Sequence, residues 1–393
     1  MTDAASAAMR LDEVQPGTIR ALTQTELKSV LSSLKDIAKR EPAIAEMMAG
    51  DSPLKDFIAN AFTLSPYLRD AANADEGLLT LAVSESVETS LGRLVEQARN
   101  CWRPGEDGAI PTEAEVMTTL RVAKRRLSFI AALADLGRIF TARDTTRWLS
   151  DMADAALSTA IDHLLLANHN SGKLTLKDPQ APSEGSGLIV LGMGKLGARE
   201  LNYSSDIDAV VFFEPMAGIV PDPLDALEIF GRMMRRLIRI MQERTADGYV
   251  FRTDLRLRPD PGSTPLAIPV DAALLYYEGR GQNWERAAYI KARPVAGDIK
   301  AGAGFLRELT PFVFRKYLDY AAIADIHSIK RQIHAHKGHG AIAVKGHNVK
   351  LGRGGIREIE FFAQTQQLIA GGRMAPLRVR STEEALAALT DAK

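Results

Sequence analysis

The feature that most constrains the fold is a strand–turn–helix–strand pattern at residues 187–214, GLIVLGMGKLGARELNYSSDIDAVVFFE. The apolar run at 188–191 predicts a buried strand, and the apolar run after Asp208 predicts a second one. The turn between them carries three glycines, at positions 192, 194 and 197. Glycines at this spacing indicate a tight turn, which we expect to lead directly into a short helix.

Two carboxylates open the second predicted strand. Asp206 and Asp208 are one residue apart, so their side chains should project from the same face of the strand. Because adjacent anions are unfavourable without a cation, we hypothesise that the two carboxylates bind a divalent metal ion, with Mg²⁺ as the first candidate. Residues 249–259 alternate with period two and predict another strand, which carries Asp254. We expect this third acid to bind a second metal ion or to orient the attacking oxygen in phosphoryl chemistry.

The glycine turn suggests a phosphate site beside these acids, because unpaired amides where a turn enters a helix donate to phosphate oxygens. The candidate phosphate- or nucleotide-binding residues are Gly192, Met193, Gly194, Lys195, Ser205 and Arg256. The Lys195 side chain could equally be solvated. The arginines that flank Asp254, at positions 252, 256 and 258, could offset phosphate charge or only neutralise the acids.

The same glycines also spell G-x-G-x-x-G after a strand, which is typical of dinucleotide-binding Rossmann units. Glu214, at the end of the second strand, lies near the place of a ribose-binding acid. Two features argue against this alternative. The second strand opens with polar residues, and no regular alternation of strands and helices follows it.

Composition excludes several other classes of protein. The chain has 49 Lys and Arg against 49 Asp and Glu, and this zero net charge offers no general attraction for nucleic acid or an anionic membrane. Cys101 is the only cysteine, so an intrachain disulfide and a thiolate zinc site are impossible. No signal pattern or membrane-length apolar run is present. We expect a cytoplasmic protein that binds neither nucleic acid nor a membrane.

Helical periodicity dominates the remaining sequence. Residues 1–20 are predicted to form a flexible arm, and residues 22–170 an N-terminal helical subdomain that includes a capping-box start at Thr112. A linker at 171–187 leads into a core at 185–300, and a C-terminal helical region follows at 301–393. Within these last two regions, further helices are predicted at 222–245, 272–292, 305–333 and 356–369.

Five blocks occur in order: GMGKLG…ELN…SSDID at 192–208, ADGYVFRTDLRLRPD at 246–260, WER…KARPVAGD at 284–298, PFVFRKYL at 311–318 and KLGRGGIREIEF at 350–361. They resemble the bifunctional glutamine synthetase adenylyltransferase/adenylyl-removing enzyme family. The resemblance implies an α+β, mostly helical fold, in which a polymerase-β-like nucleotidyltransferase core with a small mixed sheet is flanked by helical subdomains. The family's site residues map onto the turn at 192–194, Asp206, Asp208 and Asp254. Met193 stands where many members of the wider nucleotidyltransferase superfamily have Gly or Ser, although its amide could still serve.

The resemblance also implies an activity. Family members carry two such domains, and the first removes AMP from a glutamine synthetase tyrosine by phosphorolysis, which yields ADP. The single D-x-D block and the order of blocks resemble this first half, and the chain is expected to end inside the helical region that follows it. The implied cofactor is Mg²⁺, as two ions, the small substrates are phosphate and ADP or ATP, and the partners are glutamine synthetase and the PII signal protein. The alternatives are ATP-dependent adenylylation and a regulatory module that binds PII or glutamine.

Four smaller features remain open at this point. Histidines at 334, 336, 339 and 347 could form a metal site or a polar helix end. The loop at 350–355 could bind an anion or form a glycine turn. Glu285, Arg286, Lys291 and Arg293 could form ion pairs or face a nucleotide. The arginines at 232, 235, 236 and 239 favour a solvated helix face over a binding surface.

Overall fold

The computed structural model describes residues 9–11, 22–50, 52–106, 108–316, 345–350 and 352–392. Its contacts divide the chain into two compact units, and the first includes two short segments from later in the sequence. The first unit comprises Met1–Thr159, Leu201–Ser204 and Glu243–Val250, and the second comprises Ala160–Glu200, Ser205–Gln242 and Phe251–Lys393. The units therefore do not follow chain order. The domain ranges drawn from the sequence stay a prediction, and most of the arm at 1–20 lies outside the described residues.

Helices α1 to α8 occupy most of the sequence between residues 24 and 170. They are Gln24–Ala38, Pro42–Ala49, Pro53–Leu64, Pro66–Ala74, Leu78–Ser84, Val87–Asn100, Glu113–Leu136 and Ala142–Asn170. Several begin with a local cap, because the first amides of a helix lack intrahelical partners. Thr112 and Glu115 form the predicted capping box at the start of α7. The helical character predicted for residues 22–170 is confirmed.

The second unit is built on a small mixed sheet of five short strands. They are β1 (Leu188–Gly192), β2 (Ile207–Phe213), β3 (Thr253–Asp254), β4 (Ala267–Pro269) and β5 (Arg293–Gly297). β1 pairs antiparallel with both β2 and β5, whereas β3 and β4 pair parallel with β2. Strands β1 and β2 and the short helix between them agree with prediction, as does a mostly helical α+β class.

The pairing of β1 with β2 rules out the Rossmann alternative. A Rossmann unit needs parallel strands joined by a full crossover helix. Here the strands are antiparallel, and Leu188 and Gly192 pair with Phe213 and Ala209. Glu214 therefore lies at the end of the sheet away from the glycine turn, where it cannot act as the ribose acid of that motif.

In the described part of the chain, seven helices lie wholly in the second unit, α9 to α15: Gly194–Gly197, Ala226–Gln242, Val270–Gly279, Asn283–Ile290, Ile299–Val313, Ile356–Ala370 and Thr382–Asp391. A core cluster joins the sheet to α11–α14, and within it the ring centroids of Phe212 and Phe305 lie 4.6 Å apart. Among the described residues, no helix is both long and apolar enough to cross a membrane.

Four predicted elements differ from the structure in their bounds. The strand predicted at 249–259 contains only Thr253 and Asp254, because the Asp254 carboxylate accepts the Arg256 amide at 2.8 Å and turns the chain. The helix predicted at 272–292 is two helices, Val270–Gly279 and Asn283–Ile290, and a Cβ atom on Gly281 between them would meet the Phe312 ring.

The helix predicted at 305–333 ends at Val313, and its residues from 317 onward lie outside the described ones. The helix predicted at 222–245 is Ala226–Gln242, and Leu224 is exposed in the short 3₁₀ helix Pro223–Asp225 before it. The helix predicted at 356–369 is confirmed as Ile356–Ala370.

Candidate active site

Two of the three predicted acids are direct neighbours in the sheet. Asp208 in β2 and Asp254 in β3 are paired residues of a parallel ladder, so their side chains lie on the same face. Asp206 precedes β2 by one residue instead of opening it. The structure therefore brings together acids that are 46 residues apart in the sequence, and we call Asp206, Asp208 and Asp254 the acid cluster.

Asp208 is the most perturbed member of the acid cluster. Burial raises the pKa of its carboxyl group, the charges of Asp254 and Asp206 raise it further, and together they bring it to about 6. The positive charges of Arg256 and Lys350 counter this rise only in part. A partly buried carboxylate with too much negative charge around it marks a place where an added cation would be stabilised.

The other two acids are paired with arginines. Asp206 accepts a hydrogen bond from Arg252 Nε at 2.5 Å, and Asp254 accepts from both the amide and the guanidinium of Arg256. These bonds lower the pKa of Asp254. Asp206 and Asp254 line an open cavity of about 400 Å³. As the structure stands, Arg252 and Arg256 neutralise acids, which was one of the two roles considered for them.

The third flanking arginine has a structural role. Arg258 donates to the main-chain carbonyls of Leu255, Pro261 and Thr264 at 2.8, 2.9 and 3.2 Å. Burial lowers its pKa. Arg258 therefore stabilises the loop after β3. Its guanidinium donates to main-chain carbonyls, whereas binding a phosphate would require N–H groups that are not already used in this way.

The glycine turn reaches the acid cluster through Gly194. Gly194 has φ +50°, and a Cβ atom there would lie 3.0 Å from Asp208 Oδ2. Only glycine combines this backbone conformation with such a close approach at little cost. Within the described residues, the amides of Gly194 and Lys195 donate to no acceptor, and their phosphate-binding role remains a prediction.

Met193 differs from the expectation that its amide faces a phosphate. Its side chain is fully buried in the core, and its N–H donates to the Asp208 carbonyl at 2.8 Å. The bond fixes the backbone of Asp208 against the turn. Met193 therefore positions a member of the acid cluster, and its amide is already committed within the protein.

The remaining glycines of the turn serve packing. A Cβ atom on Gly192 would lie 2.7 Å from Val295 Cγ1, and one on Gly197 would meet the Lys291 carbonyl. Arg293 donates from Nη2 to the Leu196 carbonyl at 3.0 Å and so fixes the end of α9. The close packing of the turn on the chain near β5 explains these two glycines without a ligand.

Lys291 forms ion pairs, which was one of the two alternatives for the charged residues at 285–293. Its ammonium group is buried and contacts Glu200 Oε2 at 2.9 Å, Glu360 Oε1 at 2.5 Å and Thr382 Oγ1 at 3.0 Å. The ion-pair interpretation is therefore confirmed for Lys291. Arg286 instead lies over the Phe312 ring, 4.1 Å from its centroid, and makes no ion pair among the described residues.

The remaining candidates contribute less. Lys195 and Ser205 lie half-buried beside the turn and the start of β2. In the loop at 350–355, the amides of Gly354, Gly355 and Ile356 all donate within the protein, which favours the glycine-turn alternative. His347 contacts the Arg353 carbonyl at 3.1 Å, and the other three clustered histidines lie outside the described residues.

The donor chemistry of the acid cluster fits Mg²⁺, which prefers carboxylate oxygens. Burial first, and then the charges of Asp254 and Asp206, raise the pKa of Asp208, so a cation at this place would stabilise its ionised form. Over the described ranges, however, no three His, Cys, Asp or Glu side chains are already arranged around one point. Asp206 and Asp254 would have to exchange their arginine partners for the ion.

Sequence reasoning did not connect Lys350 with the acids. Lys350 lies 142 residues after Asp208 in the sequence, yet its charge acts on that carboxyl group. In the sequence, only the KLGRGGIREIEF block indicated that this segment matters, and the block does not show which groups lie near the Lys350 side chain. The buried partners of Lys291 were missed for the same reason.

Comparison with known proteins places the chain in a family. A family model described as Glutamate-ammonia ligase adenylyltransferase matches residues 56–308, and one described as GlnD PII-uridylyltransferase matches residues 326–393. Proteins named bifunctional glutamine synthetase adenylyltransferase/adenylyl-removing enzyme are 82% identical over 100% of the chain in Agrobacterium fabrum, 65% over 97% in Rhizobium meliloti and 58% over 92% in Mesorhizobium japonicum.

The match over residues 56–308 covers more than half of the chain, and the identities are high. The chain therefore belongs to the glutamate-ammonia ligase adenylyltransferase family. It spans 40%, 39% and 36% of the length of these three relatives. What the relatives' names say of substrates and activities describes those longer proteins.

Proposed function

We propose that the chain removes AMP from an adenylylated tyrosine of glutamine synthetase by phosphorolysis, and that the acid cluster is its active site. The observation that carries the proposal is Asp208, largely buried beside Asp254 and Asp206, with its pKa raised to about 6. Such a site favours a cation and, through it, phosphate groups. The names of the relatives support the substrate, and the order of the sequence blocks, which resembles the first half of the family's enzymes, supports removal over attachment.

The proposed reaction forms one bond and breaks one. An oxygen of inorganic phosphate bonds to the phosphorus of the AMP group, while the bond between that phosphorus and the tyrosine oxygen breaks. ADP leaves, and the proton of hydrogen phosphate ends on the tyrosine oxygen. Because the transferred group needs mainly positioning and charge stabilisation, no strong acid or base is required of the protein.

The residues of the site have separate tasks in this proposal. Asp206, Asp208 and Asp254 would hold Mg²⁺, as one or two ions, which would neutralise charge on the entering and leaving oxygens. The amides of Gly194 and Lys195 would donate to a phosphate oxygen, and Met193 would keep Asp208 in place. Arg256, released from Asp254, would face the incoming phosphate.

We extend the proposal to the core of the second unit, which we interpret as polymerase-β-like. The support is the placement of the acids, with Asp208 on β2 and Asp254 on a neighbouring parallel strand. The glycine turn, which lies in the connection between β1 and β2, approaches the Asp208 carboxylate closely at Gly194. This agrees with the arrangement that the sequence resemblance implies.

The test measures ADP release from adenylylated glutamine synthetase in the presence of phosphate and Mg²⁺. We expect activity in the wild-type chain and its loss in Asp208→Asn. Asp271→Asn, an exposed acid of the same unit outside the acid cluster, is the matched control and should retain activity. Full activity of Asp208→Asn would refute the site.

The direction of the reaction is a separate part of the proposal. Incubation of unmodified glutamine synthetase with labelled ATP distinguishes the two directions. Incorporation of label by the wild-type chain, together with no ADP release from adenylylated enzyme, would show that the chain attaches AMP. The acid cluster would serve either direction, so this result would change the function and leave the site intact.

A regulatory role is the second candidate, favoured by the match of residues 326–393 to a model described as PII-uridylyltransferase. We propose PII as a partner on this ground. If regulation were the only function, the wild-type chain would bind PII without releasing ADP. If both functions coexist, Asp208→Asn should lose ADP release and bind PII with unchanged affinity.

A further inference from the structure

A cavity of about 440 Å³ in the first unit belongs to none of the features discussed so far. It lies between the start of α4, one face of α7, residues 203–204 and the turn at 247–249. Its volume is in the range of small-molecule sites. Every lining residue belongs to the first unit, so the cavity is complete without the second.

Three of the residues that line this cavity carry buried polar atoms that lack partners. Within the described part of the chain, no hydrogen-bond partner exists for Ser128 Oγ, Tyr203 Oη or Arg125 Nε, although all three atoms are buried. The Ser128 residue is only 3% exposed. Since a buried donor without an acceptor is costly, three of them around one cavity indicate a ligand that supplies acceptors.

The charge of the cavity wall is positive. Arg121, Lys124 and Arg125 line it against one acid, Asp247. Arg125 already pairs with Asp247 at 3.5 Å and with Asp75 at 3.2 Å, so the charge that is available to an anion is chiefly that of Arg121. Arg121 is 1% exposed, and its guanidinium donates to the main-chain carbonyls of Met117, Glu243 and Gly248, with no ion pair to a carboxylate among the described residues. A buried cation that is held by neutral carbonyls keeps its charge available to an anion.

The rest of the wall is aromatic. Tyr67, Tyr203 and Tyr249 line the cavity, and Lys124 Nζ lies 5.9 Å from the centre of the Tyr249 ring. The aromatic faces favour a planar ring system in the ligand, whereas the arginines and hydroxyls favour a ligand group with several acceptor oxygens. Together these preferences describe a ligand that is aromatic at one end and anionic at the other.

We propose that this cavity is a binding site for a small aromatic phosphate of the nucleoside monophosphate class, separate from the acid cluster. The phosphate accepts hydrogen bonds from Ser128, Tyr203 and Arg125, and the base packs on the tyrosine rings. The site does not depend on the transfer reaction proposed above, because it shares no residue with that reaction.

Equilibrium binding of AMP to the whole chain, without Mg²⁺, tests the proposal. We expect binding to the wild type that is retained in Asp208→Asn and weakened about tenfold or more in Tyr203→Phe and in Ser128→Ala, since each change removes one hydrogen bond to a charged group. Adenosine and inorganic phosphate alone should each bind more weakly than AMP. Ser90→Ala, a buried serine of the same unit outside the cavity, is the matched control and should bind as the wild type does.

A second measurement separates binding from structure. Removal of a buried hydroxyl without a partner should leave the melting temperature of the free protein unchanged or raise it. Tyr203→Phe and Ser128→Ala should therefore be at least as stable as the wild type and still bind AMP more weakly. Absence of AMP binding in the millimolar range would overturn the proposal. It would equally fail if binding were lost in Asp208→Asn and unchanged in both cavity variants.

Discussion

Asp75 in the first unit and Asp208 in the second are both largely removed from solvent, but their surroundings are opposite. Asp75 accepts from Arg126 Nη2 at 2.6 Å and from Arg125 Nη2 at 3.2 Å. Burial alone would raise the pKa of Asp75, yet these two arginines outweigh it and the pKa lies below its usual value. Asp208 has acids as its principal neighbours, and its pKa is raised to about 6.

The difference separates a carboxylate that stabilises the fold from one that is available to a ligand. Asp75 joins α4 to α7, and its charge is fully used within the protein. Among the residues that the structure describes, Asp208 has no comparable pair of arginines, so its ionised form lowers the stability of the folded protein, and a bound cation would restore that stability. The same residue type therefore serves structure in the first unit and, in the function proposed above, serves chemistry in the second.

The largest effect should come from Asp208→Asn. We expect the rate of AMP removal to fall about 1,000-fold, because the variant loses the central ligand for the charge-stabilising ion. The same variant should be as stable as the wild type or more so at pH 7. Phosphorolysis assays combined with urea denaturation measure both quantities. Loss of activity together with loss of folding would place Asp208 in the same category as Asp75 and break the comparison.

Asp75→Asn should have the opposite signature. We expect the free energy of unfolding to fall by about 3 kcal/mol, since two partly buried arginines lose a charged partner. Urea denaturation of the variant measures this loss. Asp70→Asn, an exposed acid on the same helix, is the control and should change stability little. A small loss in Asp75→Asn would mean that the ion pairs contribute no more than surface pairs do.

The two aspartates also differ in how far the sequence could predict them. The D-x-D spacing identified Asp208, because two acids at the start of an apolar strand have few structural explanations. Asp75 lies in the polar sequence NADEG, where an exposed turn would look the same, and its arginines are 50 and 51 residues away. The early end of β3 was equally hidden, since it depends on Arg256 donating its amide to Asp254. Local patterns thus predicted β1, β2 and the glycine turn, whereas contacts across long sequence separations required the structure.

The pH dependence of stability should distinguish the two aspartates again. The pKa of Asp208 is higher in the folded than in the unfolded protein, so its contribution is present at low pH and is lost as pH rises from about 4 to 6. We expect Asp208→Asn to gain about 2 kcal/mol relative to the wild type between pH 4 and 7, after allowance for its remaining exposure. Urea denaturation of both proteins at several pH values measures the gain. Saturating Mg²⁺ should reduce it, because only the wild type binds the ion.

For Asp75 the sign is reversed. Its pKa is lower in the folded protein, so its contribution is present above the unfolded pKa and is lost as pH falls through the folded value. At neutral pH the wild type should be more stable than Asp75→Asn and less stable than Asp208→Asn. Both differences in the free energy of unfolding should therefore shrink on acidification, one from a positive and the other from a negative value. Parallel pH profiles for the two variants would contradict the comparison.

Gly194→Ala tests how closely the turn approaches Asp208. The change should cost between about 1 and 2 kcal/mol for the left-handed backbone alone. Gly218→Ala is the matched control, because Gly218 has φ +77° in the same unit and nothing lies within 4 Å of an added Cβ. Urea denaturation should show similar losses for both variants, and only Gly194→Ala should lower the rate of AMP removal. Equal activities would show that the contact with Asp208 Oδ2 has no functional consequence.

The smallest effect is expected from Arg252→Gln, which releases Asp206 from its ion pair. Both side chains of this pair are 51% exposed, so the variant should lose less than about 1 kcal/mol of stability. Arg126→Gln should lose more, because its partner Asp75 is only 4% exposed. Since Arg252 competes with a cation for Asp206, Arg252→Gln should also bind Mg²⁺ more tightly, as calorimetric titration would measure. If instead Arg252→Gln destabilised the protein as much as Arg126→Gln and left Mg²⁺ affinity unchanged, Asp206 would be a structural acid, and only Asp208 and Asp254 would remain as candidates for the ion.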